Sequence, residues 1–128
     1  MDKELVVMVG HTGRNLTAYI EGLPIIVAGS DLQEVRRNMM EAIERHRADG
    51  VTTLNGPFRL RFRVDAAAFI NYYSGIFTKA ALSRLTGINE RQLWHYAAGQ
   101  HKPRRRQRQR MQEGIRALVS ELESIDLL

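Results

Sequence analysis

Four side chains in the second half of the chain are placed for recognition chemistry. Glu90, Arg91, Trp94 and His95 recur at spacings that put them on one face of a helix over Glu90–Ala97. The Arg91 fork can span the two acceptors of a guanine, and Glu90 can accept from the amino group of cytosine. His95 can donate to a base or a phosphate. Trp94 either meets a thymine methyl or a sugar, or packs against a following helix. Lys79, Asn89, Gln100, Lys102 and Arg104, with the backbone amides near Thr78 and Asn89, are of the types that grip phosphates. The competing reading is a plain pair of helices with a polar, solvated surface.

Charge supports the first reading. The chain has 128 residues, a formal net charge of +5 and a pI near 10.1. Residues 1–64 hold nine Lys/Arg against eight Asp/Glu and are nearly neutral. Residues 79–110 hold nine basic residues against one acidic residue, Glu90. Beyond Arg110 the balance is −3. Basic charge confined to one block is the electrostatic footprint of phosphate binding.

Other chemistries find little support. The chain has no cysteine, which excludes disulfides, a thiol nucleophile and cysteine zinc sites. The candidate carboxylates Glu4, Glu21, Glu41, Glu44 and Asp65 do not fall mid-strand in Leu5–Val9, where a sheet would present a metal-binding acid. His11 and His46 lack a second ligand at metal spacing, and no Gly-rich phosphate loop or nucleophile motif occurs. We therefore expect no enzyme, cofactor or metal. The apolar runs Leu5–Val9 and Ile25–Ala28 are too short to cross a bilayer, and the first residues lack the pattern of a signal peptide. A cytoplasmic protein is expected.

The elements that must position these residues follow from periodicity. Leu5–Val9 is apolar and β-branched, and predicts a strand buried on both faces. Gly10–Gly13 predicts a turn and Leu16–Ile20 a second strand. Gly22 and Pro24 break the chain, and Ile25–Ala28 predicts a third strand. Asp31 followed by Glu34 fits a capping box before a helix over Leu32–Ala48, whose stripe is Leu32, Val35, Met39, Ala42, Ile43 and His46. Asp49-Gly50 ends it. Phe58–Val64 alternates strictly, with Phe58, Leu60, Phe62 and Val64 inward and Arg59, Arg61 and Arg63 outward. That arginine row either touches nucleic acid or, as we favour, keeps an outer strand soluble. The order is β-β-β-α-β.

The second half is helical throughout. Ala66–Tyr73 predicts a helix with Ala67, Phe69, Ile70 and Tyr73 in the core. Thr78 caps Lys79–Leu85, Thr86-Gly87 turns the chain, and Asn89 caps Glu90–Ala97. Residues 78–99 have the pattern of a helix-turn-helix: Leu82 and Leu85 inward, Ser83 small at the crossing, Gly87 at the turn, Ile88 as plug, Leu93 and Tyr96 as clamps. Pro103 opens a long last helix reaching about Ser124. The Arg-rich start of that helix opposes the helix dipole, a mild cost that favours a phosphate role. Its later stripe, Ile115, Leu118, Val119, Leu122 and Ile125, either covers the helix-turn-helix or pairs with a second copy. We thus expect an α+β chain with a β-β-β-α-β domain over residues 1–64 and an all-α helix-turn-helix domain over residues 65–128.

Taken together, the two halves resemble the HicB antitoxin family. The matching stretches are Ala18-Tyr-Ile-Glu-Gly-Leu-Pro24 and Gly29-Ser-Asp-Leu-Gln-Glu-Val35. Residues 78–99 are similar to Xre/Cro-type helix-turn-helix domains, and Tyr96-Ala-Ala-Gly-Gln-His-Lys-Pro103 is similar to a subset of such antitoxins. The resemblance implies a partial ribonuclease H-like first domain without its active site, which blocks a small HicA-type, mRNA-cleaving toxin. It also implies that the second domain represses the shared operon by binding double-stranded operator DNA. A homodimer or higher homo-oligomer is expected, because one helix-turn-helix reads only a half-site. The alternatives are a stand-alone regulator whose first domain oligomerises, an RNA-binding protein and a metal-dependent nuclease.

Overall fold

In the computed structural model, which describes residues 3–51 and 54–128, the chain is a mixed α/β protein. It divides into two compact units, Met1–Ala68 and Phe69–Leu128. The division falls four residues beyond the expected boundary after Val64, inside a helix.

The first unit is built on a four-stranded sheet. Strands β1 (Lys3–Thr12), β2 (Asn15–Ile20) and β3 (Ile26–Gly29) form an antiparallel meander. Helix α1 (Leu32–Ala48) then crosses to β4 (Phe58–Val64), which pairs with β1 in parallel, giving the order β3-β2-β1-β4. Asp31 caps α1 by accepting from the Glu34 amide at 2.7 Å, while Ser30 donates to Glu34 Oε2 at 2.8 Å. Val35, Met39, Ala42 and Ile43 bury the apolar stripe of α1. They pack with Leu5, Val7, Val9, Leu16, Ala18 and Ile20, which share one face of the sheet.

Several local expectations are corrected. The hairpin turn is Gly13-Arg14, not Gly10–Gly13: Gly10, His11 and Thr12 continue β1 and pair with Thr17, Leu16 and Asn15. Only Gly13 of these takes a positive φ (60°), at the first position of a two-residue loop, as the twist of a hairpin demands. Strand β1 is buried on one face only, because Val6 and Met8 lie half-buried on the side away from α1. The third strand begins at Ile26, leaving Ile25 fully buried in the bend before it. Leu54, placed in a loop by the sequence pattern, is also core. Arg47 holds that loop by donating from Nε to the Leu54 carbonyl at 2.6 Å.

The second unit is all helical. Helix α2 (Ala66–Tyr72) starts in the first unit, where Asp65 Oδ2 accepts from the Ala68 amide at 3.2 Å. Ala68 is buried where Ala67 was expected to be, and Ile70 joins the helical core. Tyr73 follows the helix rather than ending it. Helices α3 (Lys79–Thr86), α4 (Glu90–Ala97) and α5 (Arg105–Glu123) pack on a core of Ile70, Leu82, Ile88, Leu93, Tyr96 and Met111. Leu85 is only half-buried.

Candidate nucleic-acid interface

The connection between α3 and α4 is locked at every residue. Thr78 Oγ1 accepts from the Ala81 amide at 3.0 Å and starts α3. Gly87 ends it with φ 73°, a left-handed cap that a side chain would strain, and its amide reaches the Ser83 carbonyl at 2.8 Å. Thr86, which the sequence pattern marks only as part of the turn, is buried. Its hydroxyl donates to the Leu82 carbonyl at 2.6 Å and accepts from the Ile88 amide at 3.1 Å. That amide otherwise has no helical partner, so one hydroxyl closes the corner. Ile88 drops into the core beside Leu82 and Leu93. Asn89 Oδ1 then accepts from the Arg91 amide at 2.8 Å and caps α4, leaving only its carboxamide N–H groups to donate outward.

Helix α5 braces this corner from behind. A Cβ on Gly114 would lie 2.4 Å from the Leu85 carbonyl oxygen, so only glycine permits the crossing of α3 and α5. Arg110 donates to the Gly87 carbonyl at 2.7 Å and to Gln107 Oε1 at 3.1 Å. Arg108 donates to the Pro103 carbonyl at 2.8 Å. Two arginines of the basic run are therefore employed within the unit, a role the charge pattern alone does not distinguish. The proline is buried one residue before the N-cap position, Arg104, which makes no side-chain cap.

The rigid corner leaves one face of α4 open. Glu90, Arg91 and Trp94 are exposed, and His95 is half-buried. The indole does not pack inside: it is 56% exposed, with Lys79 Nζ 4.0 Å from the ring centroid. This pair joins the first turn of α3 to the middle of α4. His95 stacks on His101 with centroids 5.1 Å apart and planes 21° apart, which ties the end of α4 to the loop that follows. Gln100, Lys102 and Arg104 lie exposed in and just after that loop, followed by exposed Arg105 and Arg106. Of the nine expected site residues, Lys79 and Trp94 touch one another, His95 is held by a ring partner, Asn89 is committed to a cap, and the rest project into solvent.

Among the described residues, every ion pair lies in the first unit. Arg59 and Arg61 reach Glu4 at 3.4 and 3.5 Å, and Arg47 reaches Glu44 at 3.2 Å. The cations of α3, α4 and α5 make none. An array of un-neutralised Lys and Arg around an apolar ring can bind a polyanion by releasing its counterions and can place a guanidinium on a base edge.

Some of the carboxylates and histidines have structural partners. Glu4 serves the arginine row, Asp65 caps α2, and His46 donates from Nδ1 to the Ala42 carbonyl at 2.8 Å. Among the described residues, no three His, Asp or Glu side chains come together, and no helix is long and apolar enough to cross a membrane. No family model matches the chain, and no curated protein or solved structure matches it.

Proposed function

We propose that the chain is a HicB-like antitoxin and autoregulatory repressor, whose second unit is a helix-turn-helix that binds operator DNA. The observation that carries this reading is the exposed α4 face. Arg91 and the Lys79–Trp94 pair stand there on a corner locked by Thr86, Gly87 and Asn89, among cations with no carboxylate partner. Helix α4 enters the major groove, Arg91 reads a guanine, and Lys102, Arg104 and the α5 start grip phosphates. The first unit supports a partial ribonuclease H-like fold through its antiparallel meander and its helical crossover to a parallel strand beside β1. In this reading that unit blocks a HicA-type toxin, performs no catalysis, and works in the cytoplasm.

The test is fluorescence anisotropy on duplex DNA from upstream of the chain's own reading frame, at several salt concentrations. We expect log affinity to fall linearly with log salt. Arg91→Ala should cost about 1–3 kcal/mol on the specific site and far less on random duplex. Salt-insensitive binding, or tighter binding of single-stranded RNA than of duplex, rejects the DNA reading. Co-expression with the neighbouring reading frames tests the toxin: a small basic ribonuclease that co-purifies supports it, and its absence leaves a stand-alone regulator.

A further inference from the structure

Trp94 and Lys79 form a feature that phosphate gripping and hydrogen-bonded base reading do not use. Of the large apolar side chains of α3 and α4, only Trp94 is left exposed. It stands one turn after Glu90 and Arg91 on the open face of α4. Lys79 Nζ lies 4.0 Å from its ring centroid, so a cation from the first turn of α3 occupies one face of the indole and fixes its tilt. An ammonium has three donors, and those turned away from the ring stay available to a phosphate. The opposite face and the rim of the indole are left to whatever meets α4. Thr86, Gly87 and Asn89 hold the corner between the two helices that carry the pair.

We infer, on the footing that α4 enters the major groove of duplex DNA, that Trp94 is a specificity-determining residue for a 5-methylpyrimidine and that Lys79 positions it. In a duplex the faces of the bases are closed by stacking, and only their edges are offered. In the major groove those edges are polar donors and acceptors with one apolar exception, the C5-methyl of thymine. A cytosine methylated at C5 presents the same group. The free face of the indole is apolar and electron-rich, so a methyl is its best match among the edges. Arg91 and Trp94 are three residues apart, about 4.5 Å along the helix axis, against about 3.4 Å between successive bases. The methyl met by Trp94 therefore falls within two base steps of the guanine read by Arg91. Lys79 touches the ring and not the methyl. Its part is to hold the free face toward the groove, which spares the ordering of a mobile indole on binding.

The experiment uses the full chain and the duplex that it protects upstream of its own reading frame. Each thymine of the site is replaced in turn by deoxyuridine, which removes only the methyl, and each cytosine by 5-methylcytosine. The wild type should bind one deoxyuridine duplex about fourfold more weakly, the loss of one buried methyl. Trp94→Ala should bind that duplex and its thymine parent equally, whereas Arg91→Ala should keep the ratio. Lys79→Met should bring the ratio below about twofold and Lys79→Arg should restore it, since a guanidinium also sits over an indole. Each ratio compares two duplexes on one protein, so partial misfolding of a variant does not alter it. Trp94 is the only tryptophan of the chain, and its emission should change more with the thymine duplex than with the deoxyuridine duplex. If no thymine matters and one 5-methylcytosine tightens binding in a Trp94-dependent manner, the methyl belongs to modified cytosine. Duplex binding that is indifferent to every methyl, or a ratio that survives Trp94→Ala, overturns the inference and leaves the DNA reading standing. A ratio unchanged in Lys79→Met overturns the role of Lys79. Absence of duplex binding overturns the inference together with the DNA reading.

Discussion

The two units spend their charged residues differently. In the first, arginines are tied to carboxylates: Arg59 and Arg61 to Glu4, Arg47 to Glu44. Arg36 and Arg47 also lie over the rings of Phe62 and Phe58, each 4.7 Å from the centroid. In the second, three of the five carboxylates, Glu121, Glu123 and Asp126, fall at or just past the end of α5, and the cations of α3, α4 and the α5 start make no ion pair with Glu90 or Glu113. The cores differ as well. The sheet buries long β-branched and aliphatic rows against one helix, while the helical unit packs six buried residues around a three-residue corner. One unit is therefore organised to be neutral and laminar, and the other to hold an unneutralised face rigid.

The largest test of this division is Leu82→Ala. Leu82 is fully buried at the centre of the helical core, and truncation there should cost about 2–5 kcal/mol. If the units are separate folding units, amide exchange should quicken throughout α3, α4 and α5 while β1 and β2 keep their protection. Equal loss in both would show a single cooperative unit and erase the contrast. The matched substitution Ile43→Ala should do the reverse, loosening the sheet unit and sparing α4.

A smaller effect separates the two sets of arginines. Lys102→Ala and Arg104→Ala should each lower the salt slope of duplex binding by about 1 and weaken all sequences alike. Arg59→Ala and Arg61→Ala should leave duplex affinity within about twofold, and should change stability by no more than about 0.5 kcal/mol, as expected for exposed ion pairs. A loss of duplex affinity from the β4 row would move the nucleic-acid surface to the sheet and break the contrast at its root.

Most of this architecture is written in local pattern. The stripe from Leu32 to His46, between the Asp31 cap and Asp49-Gly50, predicts α1, and the strict alternation of Phe58–Val64 predicts β4. The caps Asp31, Thr78 and Asn89 fall where short polar side chains precede apolar periodicity. The candidate face of α4 follows from the same periodicity, which puts Glu90, Arg91 and Trp94 together, and all three are exposed. What local pattern omits is partnership across the fold. Nothing nearby in sequence reveals that Arg110 reaches the Gly87 carbonyl 23 residues away, or that Gly114 is required by the Leu85 carbonyl. Trp94 was ambiguous because its cover is Lys79, on another helix. Gly10 misled because a glycine within a paired strand looks, in sequence, like a glycine within a turn.

The smallest test is a pH dependence confined to the helical unit. Tyr73 sits after α2 among Phe69, Tyr72 and Phe77, with ring centroids 5.0, 4.7 and 6.5 Å away. Burial, and secondarily the neighbouring Tyr72, raise its hydroxyl above the ordinary value of 10.0. A phenol with a raised native pKa stays neutral in the fold while the unfolded chain ionises. Its contribution to stability is thus full below about pH 10 and is lost as pH rises through the native value. Thermal melts between pH 8 and pH 11 should show a shallow alkaline decline of the helical unit, and Tyr73→Phe should flatten it. An equal decline in the variant would mean that the alkaline limit lies elsewhere. A decline shared equally by the sheet would show that the two units lose stability together.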